Sequence, residues 1–201
     1  MQIESDIGTL DCYVPRMLLA RLADPSDRLV QTLEGTMVFA DVSGFTRLSE
    51  RLARKGKEGA EQLVDAINAG FSALLADASA AGGSLLKFGG DALLLWFDGE
   101  EHALRACAAA IAMRRTLRDV GRIGAGSSDV VLRMSVGVHS GFYAMFLVGD
   151  SHRELVIGGA ATSTVVAMEQ VGRRARSCSA PTRPRDCRAA AWAPRRARAC
   201  C

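Results

Sequence analysis

The chain has 201 residues, 49% of them apolar and 23% charged, enough for one ordinary domain with a sizeable core and a short appendage. No apolar run reaches the ~20 residues of a membrane-spanning helix, and the start lacks a basic-then-apolar leader, so a cytoplasmic location with no membrane partner is expected. The net charge of +3 is no argument for nucleic-acid binding by the domain: from Gly172 onward nine arginines face Asp186 alone, a charge of +8 that leaves −5 on residues 1–171.

In chain order, Val14 to Leu22 has helical spacing with Pro15 near its start, and Asp27 to Leu33 reads as a second short helix. Residues 1–34 are therefore expected to form a helical lead-in. Thr36 to Ala40 is a buried strand by composition and runs into Asp41-Val42-Ser43-Gly44. Phe45, Leu48 and Leu52 then fall on one helical face. After Gly56 and Gly59, Glu61 to Ala80 reads as a long helix with Leu63, Ile67, Phe71, Leu74 and Leu75 inward.

Gly82-Gly83 ends that helix. Ser84 to Phe88 and Ala92 to Phe97 are apolar runs joined by Gly89-Gly90-Asp91, a tight hairpin signal. Glu101 to Val120 is an Ala-rich helix in which Cys107 is expected to be a small core residue. Gly121 to Ser128 reads as a linker. Val131 to Val138, Tyr143 to Val148 and Leu155 to Ile157 read as strands, with His139 and Ser140 structural at a strand end, and Ala160 to Val171 as a last helix. The order, with strands and helices alternating around a central hairpin, predicts an α/β fold, a ferredoxin-like sandwich with a mainly antiparallel sheet, over residues 35–171.

From about Gly172 the texture changes. The stretch to Cys201 has no Leu, Ile, Val, Phe or Met and no periodicity, so residues 172–201 are expected to be a disordered Arg/Cys-rich tail. A basic arm for nucleic acid or membrane is one reading. The preferred one is a GC-rich gene read out of frame or truncated, because Arg, Ala, Pro and Cys dominate. The cysteine spacings in the tail match no zinc pattern.

In the expected fold the first and third strands are antiparallel neighbours, which brings Asp41, at the end of one, beside Asp91, at the start of the other. Two facing carboxylates repel unless a cation joins them. Carboxylates with waters and substrate phosphates are the usual ligands of Mg²⁺. The amides of Gly44, Phe45 and Thr46 open a helix, where unpaired N–H groups suit phosphate. Either aspartate alone is more simply a cap or turn residue; their coincidence beside glycines favours a metal.

FADVSGFTRLSE (Phe39 to Glu50), LLKFGGDALLLWF (Leu85 to Phe97) and LRMSVGVHSG (Leu132 to Gly141) resemble signature segments of class III adenylate and guanylate cyclases. The lead-in YVPR (Tyr13 to Arg16) is similar to that of the soluble, bicarbonate-responsive type, whose domains often sit in long multidomain proteins. The resemblance implies conversion of ATP to cyclic AMP and pyrophosphate with two Mg²⁺ or Mn²⁺ per site. It places Asp41, Asp91 and the Val42 carbonyl as metal ligands and the Gly44, Phe45 and Thr46 amides on the terminal phosphates. Lys87 falls where adenylate cyclases carry a base-reading lysine.

The same resemblance exposes departures. A complementary half should supply an Asn and an Arg, four apart, on the last helix. Here those positions are Thr162 and Val166, or Ser163 and Ala167 in the next register, so no catalytic residue is assigned. Phe142 stands where many metal-binding halves carry a basic residue, and the second base-reading position, near Leu155–Val156, is apolar. The chain is thus expected to supply the metal half, to need a complementary cyclase domain as partner, and alone to be inactive or nearly so. The competing reading is a nucleotide- or bicarbonate-sensing regulatory domain that does not catalyse. A diguanylate-cyclase or polymerase-like palm, suggested by GGD in a hairpin, is disfavoured by the DVSGFT segment. No P-loop and no HExxH is present.

Overall fold

A computed structural model describes residues 14–23, 28–124, 129–150 and 153–177, with side chains to Arg173. Its centre is β1 (Val30–Ser43), hydrogen-bonded on both sides. On one side lies β3 (Ala92–Phe97), itself paired with β2 (Ser84–Gly89); on the other lie β6 (Arg133–Val148) and then β7 (Glu154–Gly158). Every pairing is antiparallel, in the order β2-β3-β1-β6-β7. The first four strands in this order are those of the ferredoxin-like sandwich expected from the element pattern, and β7 adds an edge. A separate two-stranded ribbon joins β4 (Arg122–Gly124) to β5 (Asp129–Val131).

Strand alternation divides the core in two. Val38, Ala40 and Val42 of β1 face α3 (Lys57–Ala80) and α4 (His102–Val120), meeting Leu74, Ala78, Ala106, Met113 and Leu117. Met37 and Phe39 face the opposite side, where Trp96, Tyr143, Met145 and Val165 pack with α1 (Arg16–Leu22) and α5 (Ala160–Ser177). By the same alternation Asp41 lies on the α5 side. The short helix α2 (Phe45–Ala53) turns Leu48 and Leu52 into a third, smaller cluster with Val130.

The close fit of α5 on the sheet depends on Gly137 in β6. A Cβ there would lie 2.2 Å from the Val165 carbonyl oxygen and 2.6 Å from the Glu169 nitrogen. Only a residue without a side chain lets the helix approach this near.

Several local expectations give way to long-range pairing. Residues Val30–Leu33 are not helical but the start of β1, paired with Tyr143–Phe146; the strand therefore begins inside the expected lead-in. β6 is one strand, with His139 and Ser140 in its interior opposite Met37 and Thr36 rather than at its end. The Ser140 and Thr36 hydroxyls are 2.7 Å apart, and the Tyr143 hydroxyl donates to the His139 carbonyl at 2.8 Å. Cys107 is exposed rather than in the core, because the α4 stripe that packs on the sheet is Ala106, Ala109, Ala110, Met113 and Leu117. The Gly121–Ser128 linker contributes β4, and its residues 125–128 lie outside the described residues. α3 starts at Lys57, with Gly59 inside its first turn. α5 continues six residues beyond Val171, so Gly172–Ser177 are helical, whereas 178–201 lie outside the described residues.

Two measurements check this packing. Gly137→Ala should lower the stability to urea by about 2 kcal/mol or more, since the added carbon meets backbone atoms that cannot give way. Burial pushes the Tyr143 phenol up to about 12, opposed by a hydrogen bond with the Met37 backbone. The phenol ionises in the unfolded chain near pH 10, so its contribution is complete below that pH and is lost as pH rises towards 12. Alkaline unfolding curves should therefore show a loss of about 2 kcal/mol across this window that Tyr143→Phe removes.

Candidate functional site

The end of β1 brings Asp41 and Asp91 together. Asp41 pairs with Ala92 across the ladder, and one residue on, the Val42 N–H donates to the Asp91 carbonyl at 3.0 Å. In an antiparallel strand a residue's N–H and C=O point to the same side, so the Val42 carbonyl also faces the Asp91 loop. Asp91 sits exposed in the two-residue loop Gly90–Asp91 between β2 and β3, while Asp41 is only 8% exposed.

A cation of the chain itself answers this charge. Arg173, in the last turns of α5, places Nη2 2.8 Å from Asp41 Oδ2, and its Nε donates to Glu169 at 3.2 Å. Glu169 is 2% exposed and accepts a hydrogen bond from the buried Ser135 hydroxyl, the residue opposite Asp41 on β6. The Glu169 hydrogen bond first, then the charges of Asp41 and Glu169 and lastly that of Asp91, raise the Arg173 pKa above the ordinary arginine value. Two acids and a guanidinium thus form a compact network at the sheet end. Sequence reasoning missed it. Glu169 and Arg173 are spaced four apart on a helix, a signal for an ion pair, but Arg173 falls where the composition reads as tail.

The donor set suits a hard divalent cation. Asp41, Asp91 and the Val42 carbonyl offer oxygen ligands, and Mg²⁺ or Mn²⁺ completes its shell with waters and phosphate oxygens rather than with a protein cage. No group of three or more His, Cys, Asp or Glu able to hold a metal converges among the described residues.

Beside the aspartates, Gly44 precedes α2 with φ of 112°, a left-handed conformation that favours glycine. The sharp turn redirects the chain from β1 into α2, whose first amides, including Phe45 and Thr46, have no side-chain cap. Thr46 is exposed, and Phe45 is held by stacking on Phe71 at 5.5 Å. A cleft of about 620 Å³ opens here, lined by Gly44, Thr46, Arg47, Arg51 and Arg133 together with the acids Glu50 and Asp129. The open helix start suits a phosphate chain.

Lys87, on β2, is exposed and donates to Glu154 at the start of β7. These strands are the two edges of the sheet, so it must curl for the side chains to meet. Glu154 is a polar residue that sequence reasoning passed over in favour of the adjacent apolar Leu155–Val156. On α5, Thr162 and Val166 occupy a semi-buried face, and the Thr162 hydroxyl is buried with no hydrogen-bond partner among the described residues. Ser163 and Ala167 are exposed, as is Phe142. Neither register of the helix presents an Asn or an Arg at these positions.

Comparison with known proteins follows the same lines. The family described as "Adenylate and Guanylate cyclase catalytic domain" matches residues 30–177. The chain is 31% identical over 160 residues to adenylate cyclase type 10 of Oryctolagus cuniculus, and 27% over 163 residues to that of Homo sapiens. These matches cover 77% and 79% of the chain but 10% of each relative, so the chain spans far less than the length of the curated proteins it resembles. Among solved structures, a bacterial light-regulated adenylyl cyclase superposes with a TM-score of 0.68 at 20% identity, covering 86% of this chain and 51% of that one. The guanylyl cyclase Cya2 gives 0.59 at 23% identity, covering 72% and 73%. These structures share the fold. No helix among the described residues is long and apolar enough to cross a membrane.

Proposed function

The chain belongs to the adenylate and guanylate cyclase catalytic-domain family, and from that premise we propose that it is the metal-holding half of a site that converts ATP to cyclic AMP and pyrophosphate, completed by a second cyclase domain. The observation that supports the reading is the backbone hydrogen bond from Val42 to Asp91, which brings residues 41, 42 and 91 to one sheet end beside an uncapped helix start.

The roles follow from position. Asp41, Asp91 and the Val42 carbonyl would hold two Mg²⁺ or Mn²⁺, which when bound activate the ribose 3′-hydroxyl and offset charge on the phosphates. The Gly44, Phe45 and Thr46 amides, with the guanidinium groups of the neighbouring cleft, would orient the terminal phosphates. The Lys87–Glu154 pair offers a donor and an acceptor to a purine edge, and Lys87 underlies the preference for ATP over GTP. The work of these groups is positioning and charge stabilisation, since no side chain forms a covalent bond to substrate. Cyclase domain and appendage divide near the end of α5, and a cytoplasmic setting suits a nucleotide substrate.

The half-site is incomplete because neither Thr162 and Val166 nor, in the next register, Ser163 and Ala167 can stabilise charge on the reacting phosphate. The pure chain with Mn²⁺ and ATP should therefore make cyclic AMP at or near background, by a product assay. Adding a cyclase domain that carries the Asn/Arg pair should restore turnover, and Asp41→Ala should then reduce it by about 100-fold or more. Robust turnover by the chain alone would overturn the half-site reading. In the restored pair, Lys87→Met should lower kcat/KM for ATP by about tenfold while leaving that for GTP within about twofold; equal losses on both nucleotides would remove Lys87 from base selection.

A second reading, a regulatory domain that binds nucleotide or bicarbonate without catalysis, is favoured by one observation: Asp41 already has a counter-ion within the chain. Failure of every complementing domain to restore turnover, with nucleotide binding intact, would select it.

A further inference from the structure

We propose that Arg173 is a built-in counter-ion of Asp41 that competes with a divalent cation for its carboxylate, so that the end of α5 sets the metal affinity of the site. The inference rests on the reading of Asp41 and Asp91 as metal ligands.

Asp41 is almost wholly buried, so water does little to solvate its charge. Its Oδ2 lies 2.8 Å from the Arg173 guanidinium. A guanidinium and a divalent cation on one carboxylate repel each other, so each weakens the hold of the other. The two compete for its charge.

The arginine is built to leave. Its side chain is 56% exposed, in contrast to the 2% of Glu169, which holds it by Nε rather than by the Nη2 that meets Asp41. Glu169 is itself fixed by Ser135 and by the close contact of α5 with Gly137. Arg173 can therefore turn away from Asp41 while Glu169 keeps it attached. The glutamate keeps a partner in either state, so displacement strands no buried charge there. Without metal, the arginine ties the last turns of α5 to the sheet end; with metal, that tie is released.

The test is Mn²⁺ binding to the full chain, followed by the electron paramagnetic resonance of free Mn²⁺, with no nucleotide present. Arg173→Gln should bind Mn²⁺ about fivefold more tightly than the wild type, the scale of a partly exposed ion pair. Arg173→Lys, which keeps the charge, should bind like the wild type, and Asp41→Asn at least about tenfold more weakly. Thermal unfolding gives an independent readout: R173Q should melt lower than the wild type without metal and gain more from added Mn²⁺. Arg173→Met, which keeps the aliphatic stem, serves as the second neutral variant should R173Q fail to fold. Neutral variants that bind Mn²⁺ no more tightly than the wild type, or a lysine variant that tightens as much as they do, would overturn the counter-ion role. Binding no stronger in the wild type and neutral variants than in Asp41→Asn would instead remove the metal site, and this inference with it.

Discussion

Strand β1 has no free side, and the position of every neighbouring element follows from that. It is paired with β3 along one side and with β6 along the other, and its faces are covered by α3 and α4 on one and by α1 and α5 on the other. A strand enclosed in this way has little freedom of register, because a slip of one residue would turn Val38, Ala40 and Val42 out of their core. Asp41 inherits that rigidity. Its depth, its face and its partners follow from the same ladder that buries its neighbours.

This constraint explains how a charged group comes to be held at the end of a hydrophobic strand. An isolated buried carboxylate is costly, and the fold answers the cost locally. The Val42–Asp91 hydrogen bond fixes the hairpin loop, and Arg173 brings a positive charge from α5. Glu169 and Ser135 fix the arginine in turn. The site is therefore built from four separate elements: β1, the β2–β3 loop, β6 and α5. Only Gly137, by letting α5 lie against the sheet, makes the last of these reach it.

The curl of the sheet has a comparable role at its edges. Lys87 and Glu154 lie on strands at opposite ends of the strand order, yet they are in contact. Their meeting gives that side of the sheet a donor and an acceptor together, which neither edge strand has alone. The exposed pair contributes little to stability, as surface ion pairs do, so its interest lies in what it could recognise.

Elements whose apolar pattern has a clear period could be read from residue order alone, as could the pair of aspartates that punctuate them. The Leu48–Leu52 face of α2, the inward stripe of α3 and the Gly90–Asp91 hairpin were legible because local spacing controls them. The juxtaposition of Asp41 with Asp91 was legible too, since the topology of alternating strands and helices leaves few ways to pair β1 with β3. Tertiary structure decided what depends on distant partners. Val30–Leu33 is compatible with a short helix until β6 offers it hydrogen bonds, and Cys107 is compatible with a core until the neighbouring stripe of α4 takes the sheet. The contact of Arg173 with Asp41 spans 132 positions, and the composition around Arg173 masks its helix. No local pattern encodes such a contact, because it exists only once a glycine in β6 has let a helix lie down on the strand between them.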